Sequence, residues 1–114
     1  MTSKIKIAFV LPENLQKEFK ERIIKDGYEI KGKSRWVSES VENLLGMSNY
    51  PELVKLSDDM KGFEKMESVV ILKELKRKLE SAMENVRKSY PMIEGVQSRI
   101  LRTAIIQRLL LSYS

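Results

Sequence analysis

The chain has 114 residues, 42% of them hydrophobic and 32% charged, with a formal net charge of +5 and neither cysteine nor histidine. That length suits one domain, or two very small units sharing a core, and the composition is too apolar for a disordered polymer. Disulfides, thiolate nucleophiles, Cys/His zinc sites and imidazole bases are excluded, and no apolar run is long enough to span a bilayer, so a cytoplasmic, cofactor-free protein is expected.

Lys4 to Leu11 alternates strictly, with Ile5, Ile7, Phe9 and Leu11 on one face and Lys4, Lys6, Ala8 and Val10 on the other, which predicts a half-buried strand. Pro12 suits the first position of a helix, and Leu15, Phe19 and Ile23 follow at helical spacing to about Asp26. Gly27 fits the helix end, and Tyr28 to Lys33 reads as a turn. Ser34 is a candidate cap for a second helix whose stripe is Val37, Val41, Leu44 and Leu45, ending near Gly46. Trp36, beside that cap, is assigned to packing.

Residues 47–63, which contain Tyr50-Pro51, Asp58-Asp59 and Gly62, read as a connector with a short helix after Pro51. Beyond it Glu67 to Leu72 is rich in β-branched residues and predicts a second strand over 66–72. Leu75, Leu79, Met83 and Val86 then mark a helix that Tyr90-Pro91 ends. Gly95 offers a turn before Ser98, and Leu101, Ala104, Ile105 and Leu109 form the stripe of a last helix, leaving Arg99, Arg102 and Arg108 for its outer surface.

The second half thus repeats the first. An offset of 60 pairs Phe9 with Val69, Leu11 with Ile71, Leu15 with Leu75 and Phe19 with Leu79, while an offset of 64 sets Ser34-Arg35 over Ser98-Arg99. The first helix of the second half should therefore be about one turn longer. A strand and two short helices cannot bury their own apolar faces, so each unit needs the other. The units are residues 1–46 and 64–114, joined by 47–63 into one compact body.

An alternating strand ending Leu11-Pro12-Glu13, a turn Gly32-Lys33-Ser34-Arg35 and its echo Gly95-Val96-Gln97-Ser98-Arg99 resemble the ribbon-helix-helix family of DNA-binding proteins, which includes the Arc and MetJ repressors. The fused form is similar to TraY-type relaxosome accessory proteins of conjugative plasmids. The resemblance implies a mainly α fold with a small β ribbon, namely a two-stranded antiparallel ribbon over a four-helix core built as a tandem pseudo-dimer from one chain. It also implies a ribbon in the major groove of double-stranded DNA and helix starts on flanking phosphates. Carried over by position, Lys4, Lys6, Ala8 and Val10 face the bases together with Met66, Ser68 and Val70. Lys33, Ser34, Arg35, Gln97, Ser98 and Arg99 meet the phosphates. The protein would be a transcriptional regulator or relaxosome factor, monomeric and non-enzymatic, with a relaxase or a second copy on adjacent sites as further partners.

Free N–H groups at a helix start beside a cation favour an anion on physical grounds alone. The ribbon residues Ala8, Val10, Met66 and Val70 cannot hydrogen-bond a base edge, although they can touch thymine methyls. Glu67 points inward in this register, where an unpaired carboxylate is costly, and a register shift or an early strand end would relieve it. The main rival starts a helix near Glu64 and absorbs Val69 to Leu72, giving a basic helical adaptor for a protein partner with no nucleic-acid role. A carboxylate-dependent nuclease has no recognisable spacing behind it.

Overall fold

Apolar residues at every second position bring Lys4–Pro12 (β1) and Glu64–Leu72 (β2) together as a two-stranded antiparallel sheet, in a computed structural model that describes residues 3–29, 32–57 and 63–111. The ladder runs from Lys4 opposite Leu72, through Ala8 opposite Ser68, to Pro12 opposite Glu64. Ala8 and Ser68 stand 60 positions apart, the same offset that relates the two strand–helix segments in sequence. Both ends of the ladder are extended in matching fashion: the Glu13 N–H donates to the Phe63 carbonyl at 2.9 Å and the Lys73 N–H to the Ser3 carbonyl at 3.0 Å. Because Val69 to Leu72 lies in β2, the all-helical alternative is overturned.

Each strand leads directly into a helix. The helices are α1 (Glu13–Lys25), α2 (Lys33–Leu45), α3 (Tyr50–Leu56), α4 (Lys73–Ser89) and α5 (Val96–Leu111). The fold is therefore mainly helical with one small sheet. Pro12 closes β1 rather than opening α1, since its ψ of 144° is extended and helical geometry begins at Glu13. Gly27, at a φ of 84°, ends α1 in a left-handed turn: its N–H donates to the Ile24 carbonyl and the Tyr28 N–H to the Ile23 carbonyl, satisfying two carbonyls the helix leaves open. With 17 residues against 13, α4 exceeds α1 by about one turn.

Within the predicted connector, α3 begins at Tyr50, just before Pro51, and drives Val54 into the core. Asp58, Asp59 and Gly62 of that connector, and residues 30 and 31 of the first turn, lie outside the described residues.

One apolar cluster joins Ile7, Phe9 and Leu11 of β1 and Val69 and Ile71 of β2 to all five helices. At its centre α5 packs against β1, α1, α2, α3 and α4. That position corrects the expectation that its arginines face outward. Arg102 is 7% exposed, and the Arg108 guanidinium lies 4.5 Å over the Trp36 ring while donating to the Trp36 carbonyl at 2.8 Å. Trp36 itself is fully buried, tilted against Phe19 with ring centroids 5.4 Å apart, and its indole N–H donates to Asp26 at 2.9 Å. Burying one large apolar side chain stabilises the fold by roughly 1.5–3 kcal/mol, and α5 carries eight buried residues, Val96, Ile100, Leu101, Arg102, Thr103, Ala104, Ile105 and Leu109. Among the described residues no helix is long and apolar enough to cross a membrane.

Candidate nucleic-acid interface

The pleat of the ribbon separates its residues into two faces. Lys4, Lys6, Ala8 and Val10 of β1 stand on the outer face with Met66, Ser68 and Val70 of β2, while Ile7, Phe9, Leu11, Val69 and Ile71 are buried beneath. Met66 is 73% exposed and Val70 41%, so the outer face is partly apolar and, among the described residues, not covered by a helix there. Two outer positions escaped the sequence reading: Leu72, which is 41% exposed, and Glu64 at the opposite end of β2. Extending the alternation by one step in each direction from Met66, Ser68 and Val70 reaches both.

A helix start borders the ribbon on each edge. The Ser34 hydroxyl, in the first turn of α2, accepts the Val70 N–H at 2.9 Å, and the Ser98 hydroxyl, in the first turn of α5, accepts the Val10 N–H at 3.2 Å. A serine at a helix start ordinarily caps its own helix, the role the sequence suggests for Ser34. Instead each satisfies an outward-pointing N–H of the strand from the other half of the chain. The N-cap position of α2 is Gly32, which has no side chain to offer. Gln97 reinforces the second contact by donating its amide to the Ala8 carbonyl at 2.8 Å. Each hydroxyl thus satisfies one of the unpaired N–H groups that a two-stranded sheet presents at its edges and ties a helix start to the ribbon.

The charged residues at these starts are engaged unequally. The Lys33 ammonium lies 3.0 Å from the carboxylate of Glu67, which is only 5% exposed, with Lys20 at 3.5 Å and the Gln16 amide donating at 2.6 Å. The expected register is therefore kept, and the inward carboxylate is paired rather than displaced. Burial pushes the Glu67 carboxyl up, but the Lys33 ammonium, the Gln16 amide and Lys20 outweigh it and hold the group below the usual carboxylate value. Arg35 is 76% exposed, pairs with Glu39 one turn on at 3.5 Å and lies 5.4 Å over the Tyr28 ring. Arg99 is turned back onto the chain, donating to the Glu94 carbonyl at 3.2 Å and the Ser57 carbonyl at 3.0 Å.

Glu39 gathers a second small network. The Tyr28 hydroxyl donates to its carboxylate, and Arg108 approaches at 3.4 Å. The Tyr28 hydrogen bond leads, with Arg108 and Arg35, in lowering the Glu39 carboxyl against a smaller opposing effect of burial. This network ties α2 to α5 behind the ribbon. Among the described residues no group of three or more Asp and Glu side chains is placed to hold a metal ion. No family model, curated protein or solved structure matches the chain.

Proposed function

We propose that the chain binds double-stranded DNA as a single-chain ribbon-helix-helix protein, with the outer ribbon face in the major groove and the starts of α2 and α5 against flanking phosphates. One observation carries this reading: an uncovered ribbon face bearing Lys4, Lys6 and Ser68 is bordered on both edges by helix starts, held there by Ser34 on Val70 and Ser98 on Val10. A two-stranded ribbon fits the width of the major groove, and side chains of its outer face then meet base edges. Backbone N–H groups of a first helical turn, together with the exposed Arg35, attract an anion whatever the base sequence. The strand pairing and the 60-residue repeat support one chain acting as a tandem pseudo-dimer.

In this reading the protein is a non-enzymatic transcriptional regulator or relaxosome accessory factor of the cytoplasm. Fluorescence anisotropy on labelled duplexes across a salt series tests it. Affinity should fall linearly on a log–log plot, with a slope of about 0.9 per neutralised phosphate. Absence of salt-dependent binding to any duplex at low ionic strength would rule the reading out.

A further inference from the structure

The two ends of the ribbon differ in chemistry, although their positions correspond. At the 60-residue offset Lys4 corresponds to Glu64 and Lys6 to Met66, while Ala8 with Ser68 marks the centre and Val10 corresponds to Val70. Pairing gathers Lys4 and Lys6 with Leu72 and Val70 at one end of the outer face, and Val10 with Met66 and then Glu64 at the other. The first end therefore carries two ammonium donors flanked by apolar groups. On the outer face the second carries Val10 and Met66, neither with a hydrogen-bond donor for a guanine edge, followed by an exposed carboxylate that repels phosphate.

From this we infer that the preferred duplex is non-palindromic and bound in one orientation. Its half-site under Lys4 and Lys6 offers guanine O6 and N7, and the half-site under Val10 and Met66 is read through thymine methyl groups. The inference rests on the DNA-binding reading and specifies its substrate. A palindrome would present the same base edges to Lys6 and to Met66. It would leave either a guanine acceptor without a donor or a lysine above a methyl group, and each mismatch of this kind lowers affinity. Uncharged Val10 and Met66 gain instead from covering the C5-methyl of thymine, an area effect that needs no hydrogen bond.

The decisive experiment is selection of the full-length protein on random duplexes, followed by atom-level changes in the recovered site. Replacing each thymine by uracil removes only the methyl, and replacing each guanine by 7-deazaguanine removes only N7. Uracil is expected to weaken binding about fourfold per contacted methyl in one half-site, the equivalent of one lost methylene contact, with Met66→Ala abolishing that sensitivity. 7-Deazaguanine is expected to weaken binding about tenfold in the other half-site, with Lys6→Ala abolishing that effect. A recovered palindrome, or a site indifferent to uracil, overturns the inference while duplex binding itself stands. Failure to enrich or bind any duplex overturns the DNA-binding reading, and this inference with it.

Discussion

The inward faces of β1 and β2 occupy corresponding places over one core but meet the demands of burial by different chemistry. β1 presents Ile7 where β2 presents Glu67, and both are nearly inaccessible to water, at 4% and 5% exposure. Ile7 needs only apolar neighbours. Glu67 requires Lys33, Lys20 and Gln16, and in taking them it commits Lys33, the residue at the very start of α2, to a structural contact. At the start of α5 the counterpart Gln97 carries no charge and reaches the Ala8 carbonyl instead. A repeated backbone plan therefore does not repeat its electrostatics, and a carboxylate beneath the ribbon helps decide which cations remain for a ligand.

Removing the apolar member of this comparison should have the largest effect. Ile7→Ala is expected to cost about 2–5 kcal/mol, seen as a lower urea midpoint with an unchanged slope, because the surrounding core collapses only partly into the space. A loss below about 1 kcal/mol would mean that the ribbon contributes little to the core.

Next in size are the two corresponding arginines. Arg99→Ala should lose about 1–2 kcal/mol of stability, since its guanidinium holds the Ser57 and Glu94 carbonyls. Arg35→Ala should leave the urea midpoint nearly unchanged and, in the proposed DNA-binding reading, reduce the salt slope by about one contact. Equal effects on both measurements would erase the distinction drawn between the helix starts.

Each edge serine should matter less. Ser34→Ala and Ser98→Ala leave one strand N–H without its acceptor, at about 1 kcal/mol apiece, and hydrogen exchange at Val70 and Val10 respectively should accelerate. Unchanged protection of those amides would show the contacts to be incidental.

The smallest net change is expected for Glu67→Ile. A buried ion pair gains little over a well-packed apolar side chain, and Lys33 and Lys20 can turn to water, so stability at neutral pH should move by less than about 1 kcal/mol. Acid sensitivity should change more visibly. The Glu67 carboxyl is lower in the folded chain than its usual value of 4.5, so its contribution is complete above that value and is lost as pH falls through the lower folded one. The variant should therefore lose less stability on acidification than the parent, and in the proposed DNA-binding reading duplex affinity should rise as Lys33 is released. An equal or steeper acid dependence in the variant would contradict the pairing.

The sequence reveals those features that depend on local periodicity. Ile5, Ile7, Phe9 and Leu11 announce β1, and the four-residue spacings of Leu75 and Leu79 announce α4, because the residues that repeat are buried, or in the case of Ile5 half-buried against the core. Glu67 obscures β2, since a charged residue at a core position breaks the alternation and only its distant partners excuse it. The serines mislead for a related reason: a hydroxyl accepts a helix N–H or a strand N–H equally well, and tertiary placement chooses. Arg102 and Arg108 defy the simple expectation that a stripe of apolar residues leaves an opposite wet face for the arginines. Along α5, however, Ile100, Leu101, Thr103, Ala104 and Ile105 are all buried, as befits a central helix. At the candidate interface, the outward parity of the ribbon residues is legible, whereas the inward turn of Lys33 depends on the carboxylate of Glu67 and that of Arg99 on the carbonyl of Ser57, both remote in the chain.

Every rung of the ladder joins the first half of the polypeptide to the second. During synthesis β1 must wait, its backbone unpaired, until β2 has emerged, and in refolding a long loop has to close before any strand bond is gained. The sheet is thus a late event whose rate is indifferent to dilution, unlike a ribbon assembled from two separate subunits. Stopped-flow refolding at widely different protein concentrations should give a single rate.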